Sequence, residues 1–417
     1  MTAGAPARPA RPASRPSSRP ADGRRAGPLA PALGVLELMR RLSWVPERAA
    51  PTDGPPPDIQ FDLDRYIPSP TVVDGVPVRF PPVHTVFVTA TLGGTPSPAD
   101  QRMLADALHA LEGAHRLFCH VGYGLPYFRR LPAGLVALYM PRLLPHSNRF
   151  VLEEAVPSPS DAAVRVERND ILFTLRADDP AALADALHWL AGSDLLAGRR
   201  TPSPCLDAGL RLTSARAMFV QMGLPRKIAV NRRLPYASMI HPRSPMWMGF
   251  ADQHPEPGTS PLTVTFQGSP GTRLTTASAG DYFDNGAIQH LSHDILDLHR
   301  FYDEAAFTER IQRVFRHAST LRRAARTADG RPLHQRVDGP GFDGMDVPGG
   351  VPAPKLQFSV FVPTAELFAR MRRDQALGDG PDGPRDTGID RFITATRRQN
   401  FLVPPRRHRA FPLLELA

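Results

Sequence analysis

The segment FTLRADDPAALADAL, residues 173–187, decides the fold, because its pattern occurs again as FSVFVPTAELFARM, residues 358–371. In each copy a strand-like apolar run is followed by a polar or proline-containing opening, and then by apolar residues at helical spacing. Internal similarity of this kind indicates a duplicated strand–helix module. The spacing thus predicts one such module in each half of the chain.

Other segments extend this pattern. HTVFVTATL (84–92) predicts a buried strand, after which Ser97 and Pro98 open a helix, and AIQHLSHDI (287–295) predicts a strand followed by a helix around 305–314. SARAMFVQMGL (214–224) predicts a further strand between the halves. This order favours an α+β protein of two ferredoxin-like halves, of the dimeric α/β-barrel type, whose antiparallel sheets pack on each other. A doubly wound parallel sheet would not need the duplication.

We place the N-terminal half at residues 58–235 and the C-terminal half at residues 236–417. Residues 1–57 are rich in Pro, Arg and Ala and predict a disordered tail, apart from a short helix over 33–42. The basic segment PPRRHRAF, residues 404–411, is either a solvated tail or a clamp for an anionic ligand, and we favour the first interpretation.

The net charge of +9 gives little support to nucleic-acid binding. Residues 1–25 hold six arginines and one aspartate, and only two lysines occur among the 50 basic residues, which indicates a compositional bias rather than phosphate contacts. No apolar run approaches the roughly 18 residues of a membrane span. We expect a cytoplasmic protein, while Arg24 and Arg25 before an apolar stretch leave open export through a degenerate twin-arginine signal. Homo-oligomerisation is also left open.

The segment PMWMGFADQ, residues 245–253, ends a dense apolar run on a single carboxylate, Asp252. A carboxyl group in apolar surroundings acquires a shifted pKa, which suits acid–base catalysis. The alternative is a buried strand whose aspartate caps the following loop.

The order of several motifs resembles the dye-decolorizing peroxidase (DyP-type) superfamily, in particular a divergent and poorly characterised branch of it. The motifs, within residues 59–417, are MGFADQ, DYFDNGAIQHLSHDILDLHRFY, FRHAS, LHQRVDG, KLQFSVFVPTAELF and RRQNFLVPP. The resemblance implies two ferredoxin-like domains, with haem b and its iron bound in the C-terminal half. It also implies a peroxidase that reduces hydrogen peroxide and oxidises a small organic electron donor.

By the same resemblance, Asp252 falls on the distal aspartate of the family's GxxDG motif, and Gly249 and Phe250 belong to the loop that contacts the cofactor. Gln253 stands where the family has the final glycine. In a peroxidase, a distal acid of this kind moves a proton between the two oxygens of the peroxide.

The remaining site residues follow the family pattern in the same way. His317 falls on the proximal ligand, whose neutral imidazole holds the iron. Arg336 lies near the distal arginine, which stabilises developing negative charge, although the family's arginine pair is Gln335 and Arg336 here. Relatives often carry basic residues toward the haem where this chain has His290 and His293.

Each assignment has an alternative. Without the resemblance, His317 would be a surface histidine, and His290 and His293 would suggest a metal site except that residues three apart on a strand point to opposite faces. The departures Gln253 and Gln335 favour a second hypothesis. In it, the protein has the same fold and binds haem or another small molecule without turnover. A third possibility, an interaction protein with a basic arm, depends on charge alone.

Overall fold

The structure is a computed structural model, and its helices and strands follow the duplicated pattern. It describes residues 27–46, 56–67, 71–73, 76–78, 80–115, 117–157, 161, 163–204, 209–249, 259–303, 306–310, 325–327, 330–377 and 389–417. The helices are α1 (Ala30–Leu42), α2 (Pro98–His115), α3 (Leu125–Phe128), α4 (Ala133–Tyr139), α5 (Pro180–Leu190), α6 (Leu224–Asn231), α7 (Leu298–Asp303) and α8 (Ala365–Leu377). The strands are β1 (Thr71–Val73), β2 (Val76–Val78), β3 (His84–Leu92), β4 (Phe118–Tyr123), β5 (Arg165–Val166), β6 (Ile171–Ala177), β7 (Leu195–Leu196), β8 (Arg199–Arg200), β9 (Leu210–Phe219), β10 (Ala287–Leu296), β11 (Gln335–Arg336), β12 (Gly339–Asp343), β13 (Ala353–Val362) and β14 (Ile393–Val403).

The two halves have the same strand order. In the first half the order is β4-β6-β3-β9, and in the second it is β11-β13-β10-β14, with β12 also paired to β13. In each half the first long strand lies between the third and the fourth, and both of its pairings are antiparallel. This is the ferredoxin-like arrangement, so the predicted fold class is confirmed. The halves meet at β4 and β14, where Tyr123 pairs with Leu402.

The sheets of the two halves face each other. A buried apolar cluster contains residues of both sheets: Phe87, Leu172, Met218, Leu291 and Phe401. A hydrogen bond also crosses between them, since Nε2 of His120 lies 3.0 Å from Oε1 of Gln289. The prediction that the halves pack through their sheets is therefore confirmed.

The helices cover the outer faces of the sheets with the residues that the spacing predicted. The buried residues are Leu104, Leu108 and Leu111 of α2, Leu183, Leu187 and Leu190 of α5, and Leu367, Phe368 and Met371 of α8. Each such side chain contributes roughly 1.5–3 kcal/mol when it is fully buried. The predicted start of α2 is also correct, because the Ser97 hydroxyl accepts a hydrogen bond from the backbone N–H of Asp100 at 3.3 Å.

Part of the predicted disordered tail is folded. Helix α1 buries Val35, Leu36 and Met39, and it packs against β9 and α5. The helix predicted over 33–42 is therefore confirmed, and it begins three residues earlier, because apolar side chains at helical spacing supply a stripe that the body of the protein covers. The boundary between residues 235 and 236 stays a prediction. In the described part of the chain, no helix is long and apolar enough to cross a membrane.

The predicted strand over 214–224 differs from the structure. Strand β9 ends at Phe219, and α6 begins at Leu224 after a turn in which Gly223 has φ +73°. A side chain at Gly223 would also lie 2.4 Å from the carbonyl oxygen of Pro242, so only glycine fits there. Most of the helix predicted around 305–314 lies outside the described residues.

The basic C-terminal segment is not a solvated tail. Arg406 and Arg409 each place a guanidinium nitrogen 2.7 Å from Oε1 of Glu112 on α2. Phe411 and Leu413, which follow, are fully buried. The arginines thus find carboxylates on the first half, and the apolar residues beyond them join its core.

Candidate functional site

Three of the predicted site residues, Phe250, Asp252 and His317, lie outside the described residues. Their roles therefore remain predictions. The structure describes the other three predicted positions, at 249, 290 and 336.

The apolar run before residue 250 forms a buried turn, and it is tied to the second half. Trp247 is buried, and its indole N–H donates to the carbonyl oxygen of Gly341 at 3.0 Å. The hydroxyl of Tyr302 donates to the Trp247 carbonyl at 2.7 Å. Gly249 has φ +81°, a conformation that favours glycine, and lies beside the same hydroxyl. The chain is thus held firmly at the point where the predicted catalytic loop begins.

His290 lies in the middle of β10 on the face that the helices cover. Its ring stacks on Phe368 of α8, with the ring centroids 4.0 Å apart. Its Nδ1 is 2.7 Å from Oδ1 of Asn400 on β14. Its Nε2 is buried and has no hydrogen-bond partner among the described residues. A buried polar atom in this state has a desolvation cost that a bound ligand could offset.

Strand pairing places His290 in one row with Arg336. His290 pairs with Asn400 of β14 on one side and with Val360 of β13 on the other, and Val360 pairs in turn with Arg336 of β11. Residues directly opposite each other in a sheet point to the same face. The row therefore collects an imidazole, an amide and a guanidinium on the helix-covered face of the second half.

Arg336 is exposed at the edge of this row. Its guanidinium forms two hydrogen bonds with Asp338, at 2.7 and 3.1 Å, and it lies 6.0 Å from the centroid of the Phe358 ring. The Phe358 and Phe368 rings are 5.9 Å apart. Two aromatic rings thus lie between the guanidinium and His290.

Further buried charges lie on the same face. Burial, reinforced by the nearby Arg398, holds the pKa of His290 well below its ordinary value. Arg398 forms an ion pair with Asp161, and the Ser292 hydroxyl donates to Asp294 at 2.6 Å. Burial raises the pKa of the Asp294 carboxyl. Burial, with a smaller contribution from the nearby Arg398, therefore favours the neutral form of His290.

The opposite face of β10 belongs to a polar layer between the two sheets. His293 points into this layer, where its Nδ1 is 3.0 Å from Oε1 of Gln357, so the prediction that His290 and His293 occupy opposite faces is confirmed. Arg216 is fully buried there and pairs with Glu167, which also contacts Arg397 at 3.3 Å. No cluster of three or more His, Cys, Asp or Glu side chains among the described residues could hold a metal ion.

Asn400 is the residue of this site that the sequence did not reveal. Its segment, RRQNFLV, contributes a residue type that is common on protein surfaces, and 110 residues separate it from His290. Only the antiparallel pairing of β10 with β14 could have identified it.

Residues 82–336 match the model of a family described as a family of unknown function, DUF7405. The chain belongs to the DUF7405 family. No curated protein sequence matches this DUF7405 member.

The DUF7405 chain is similar in fold to solved DyP-type peroxidases. A variant of DypB from Rhodococcus jostii RHA1 in complex with haem is 17% identical, and the match covers 78% of this chain and 94% of that one with a TM-score of 0.51. A second DypB variant in complex with haem is 16% identical over 79% and 95% of the two chains, with a TM-score of 0.51. A protein from Shewanella oneidensis described as a DyP-type peroxidase is 14% identical over 81% and 95%, also with a TM-score of 0.51. At such identities the likeness concerns the fold, and the predicted DyP-type fold is confirmed.

Proposed function

We propose that this DUF7405 protein is a haem-dependent peroxidase of the DyP type. It would reduce hydrogen peroxide and oxidise a small organic electron donor. The observation that carries the proposal is the buried, unpartnered Nε2 of His290, which lies in one row with Arg336 on the helix-covered face of the second half. The solved DypB variants of the same fold, which are in complex with haem, support it.

The described residues of this face fit a haem. The group is planar and largely apolar and carries carboxylate arms, so it needs aromatic and aliphatic surroundings together with cationic side chains. Phe358 and Phe368 provide the first and Arg336 provides the second. The free Nε2 of His290 adds a polar atom that a bound group could reach.

In this proposal each predicted residue has one task. His317 holds the iron, and Asp252, in the loop that begins at Gly249 and Phe250, moves a proton between the peroxide oxygens. Arg336 stabilises the negative charge that develops as the peroxide bond breaks. The haem b would supply the redox chemistry.

The absorbance spectrum of the protein expressed with a supply of haem tests the proposal. We expect a Soret band in the wild type and its loss in His317→Ala. His299→Ala is a matched control, because that side chain is 67% exposed and forms an exposed pair with Asp303, one helical turn away. Absence of the band in the wild type would contradict the haem assignment, and a band without turnover of peroxide would contradict the enzymatic one.

A second candidate function is a haem or small-molecule binder of the same fold without turnover. This candidate is favoured by the two hydrogen bonds that the Arg336 guanidinium forms with Asp338, because they reduce its ability to stabilise charge on a substrate. Turnover of peroxide by the haem-loaded wild type distinguishes the two candidates. We also propose that the protein acts in the cytoplasm, since the apolar stretch that follows Arg24 and Arg25 packs on the core as α1.

A further inference from the structure

One exposed surface of the molecule combines apolar and basic side chains. It is formed by the C-terminal end of α1, by α6 and by the 3₁₀ turn at Ala237–Met239. The α6 face, as we call it, has six members: Trp44, Val45, Lys227, Val230, Arg233 and Met239. Its apolar side chains are between 46% and 59% exposed, and its two cations are exposed as well.

Contacts between the elements make the α6 face continuous. The ammonium group of Lys227 lies 4.7 Å from the centroid of the Trp44 ring. Val230 lies three residues further along α6, and therefore on the same side of the helix as Lys227. Nη1 of Arg226 donates to the carbonyl oxygen of Ile240 at 3.0 Å, which holds the 3₁₀ turn against α6.

Trp44 is held in its exposed position by the protein. The Gln221 side chain accepts from the backbone N–H of Trp44 at 3.3 Å and donates to its carbonyl oxygen at 2.7 Å. The other two tryptophans of the chain, Trp189 and Trp247, are buried. A tryptophan that is fixed at the surface beside a cation is typical of a protein that binds at the boundary between water and an apolar phase.

The charge of this region has one sign. Residues 208–251, which contain α6, include no Asp or Glu. The one acidic residue of α1, Glu37, forms ion pairs with Arg40 and Arg41. The arginine-rich residues 1–25 precede α1 in the chain. The region therefore attracts a partner with dense negative charge.

We propose that the α6 face docks on a membrane surface that contains anionic phospholipids. Trp44, Val230 and Met239 enter the layer of the headgroups, and Lys227 and Arg233 contact the lipid phosphates. A lysine lies against the tryptophan within this face, whereas the buried core of a protein–protein interface is depleted in charged residues. The arrangement thus fits a lipid surface better than a protein partner.

Vesicle binding by the full-length protein tests the proposal. With vesicles of phosphatidylcholine and phosphatidylserine at low ionic strength, the protein should co-sediment with the lipid, and added salt should weaken the binding. Vesicles of phosphatidylcholine alone should bind less protein. The emission of Trp44 should shift to shorter wavelength on binding, and Trp44→Phe should remove this shift, because the other two tryptophans are buried.

Two pairs of matched variants identify the surface that binds. Lys227→Gln should weaken binding about fivefold, whereas Arg102→Gln, at an exposed position of α2, should change it less than about twofold. Val230→Ser should weaken binding at least about threefold, because it removes apolar area that enters the lipid. Val156→Ser alters a side chain that is 63% exposed outside the α6 face, and it should leave binding unchanged. All four positions are exposed, and thermal unfolding checks that the variants are folded.

Three outcomes would overturn the proposal. The first is failure of the wild type to bind anionic vesicles. The second is binding without the fluorescence shift and with equal affinity in the Lys227 and Val230 variants, which would assign attachment to the arginine-rich residues 1–25. The third is binding to polyglutamate but not to vesicles, which would assign the α6 face to an acidic protein. None of these outcomes depends on haem or on peroxide turnover, so the test is independent of the proposed function.

Discussion

The two halves share one strand order but differ in what their central strands turn toward the helices. In the first half, Val88 of β3 lies between Phe173 and Ala215, and all three are buried and apolar. In the second half, His290 of β10 lies beside Asn400, and both are buried. Burying polar groups costs free energy unless they are hydrogen-bonded. At this central position the second half carries a cost that the first half does not, and it is the half to which we assign the function.

The layer between the two sheets is also polar. Unlike the helix-covered face of the second half, it is formed by residues of both halves. Arg216 comes from the first half and Arg397 from the second, and Glu167 contacts both. We expect this shared layer to determine stability, whereas the helix-covered face of the second half determines activity. The predictions that follow test this division, from the largest expected loss of stability to the smallest.

Glu167→Gln should cost the most, about 3–5 kcal/mol in the free energy of unfolding. The change leaves Arg216, which is 0% exposed, buried without a carboxylate. Urea denaturation measures the loss. Glu154→Gln is the control, since its pair with Arg129 is exposed and should contribute little. Equal effects of the two variants would show that the inter-sheet layer does not stabilise the fold.

The same carboxylate makes stability depend on pH. Burial alone would raise the pKa of Glu167, but Arg216 and Arg397 overcome that effect and hold the pKa below its ordinary value. A lowered pKa in the folded state contributes stability above the unfolded pKa of about 4.3, and this contribution is lost as the pH falls through the folded value. The wild type should therefore lose stability on acidification below about pH 4 more steeply than Glu167→Gln does. Parallel curves would contradict this assignment.

Val88→His should cost about 2–4 kcal/mol, because it places in the first half the residue that the second half tolerates. The position opposite is Ala215, which offers no amide oxygen to the new imidazole. Thermal or urea unfolding measures the change. A neutral result would mean that the contrast between the halves has no energetic basis.

Asn400→Leu should cost about 1–3 kcal/mol, since it leaves Nδ1 of His290 and the Glu153 carbonyl without their partner. Urea denaturation of this variant measures the loss. A loss within about 0.5 kcal/mol, the range of a typical surface substitution, would contradict this assignment.

Arg336→Gln should have the smallest effect on stability, about 1 kcal/mol, because the Arg336 side chain is 37% exposed, although the Asp338 carboxylate that it pairs with is largely buried. Its effect on peroxide turnover should be large, about 10²–10³-fold, if Arg336 stabilises the developing charge. Measuring both the melting temperature and kcat/KM for peroxide separates the effect on stability from the effect on turnover. A variant that is unstable yet active would reverse the roles that we assign to the two regions.

The sequence by itself determined the elements and their duplication. Alternating or continuous apolar residues mark β3, β6 and β13, and leucines at helical spacing mark α2 and α5, because these patterns are local and each lies within one element. The repeated strand–helix pattern was then enough to predict two ferredoxin-like halves packed through their sheets. It was not enough to predict that α1 packs on the first half, since its apolar stripe is short and surrounded by Pro and Arg.

Only the tertiary structure decided which polar residues meet. Asn400 reaches His290 across 110 residues because β14 pairs with β10, and Glu112 binds Arg406 and Arg409 because the C-terminal segment returns to α2. The physical reason is that hydrogen bonds across a sheet and ion pairs between elements join residues that are distant in the chain. The sequence around Asn400 or around Glu112 gives no indication of the residue that it binds. The hydrogen bond between Nδ1 of His290 and Oδ1 of Asn400 is such a contact.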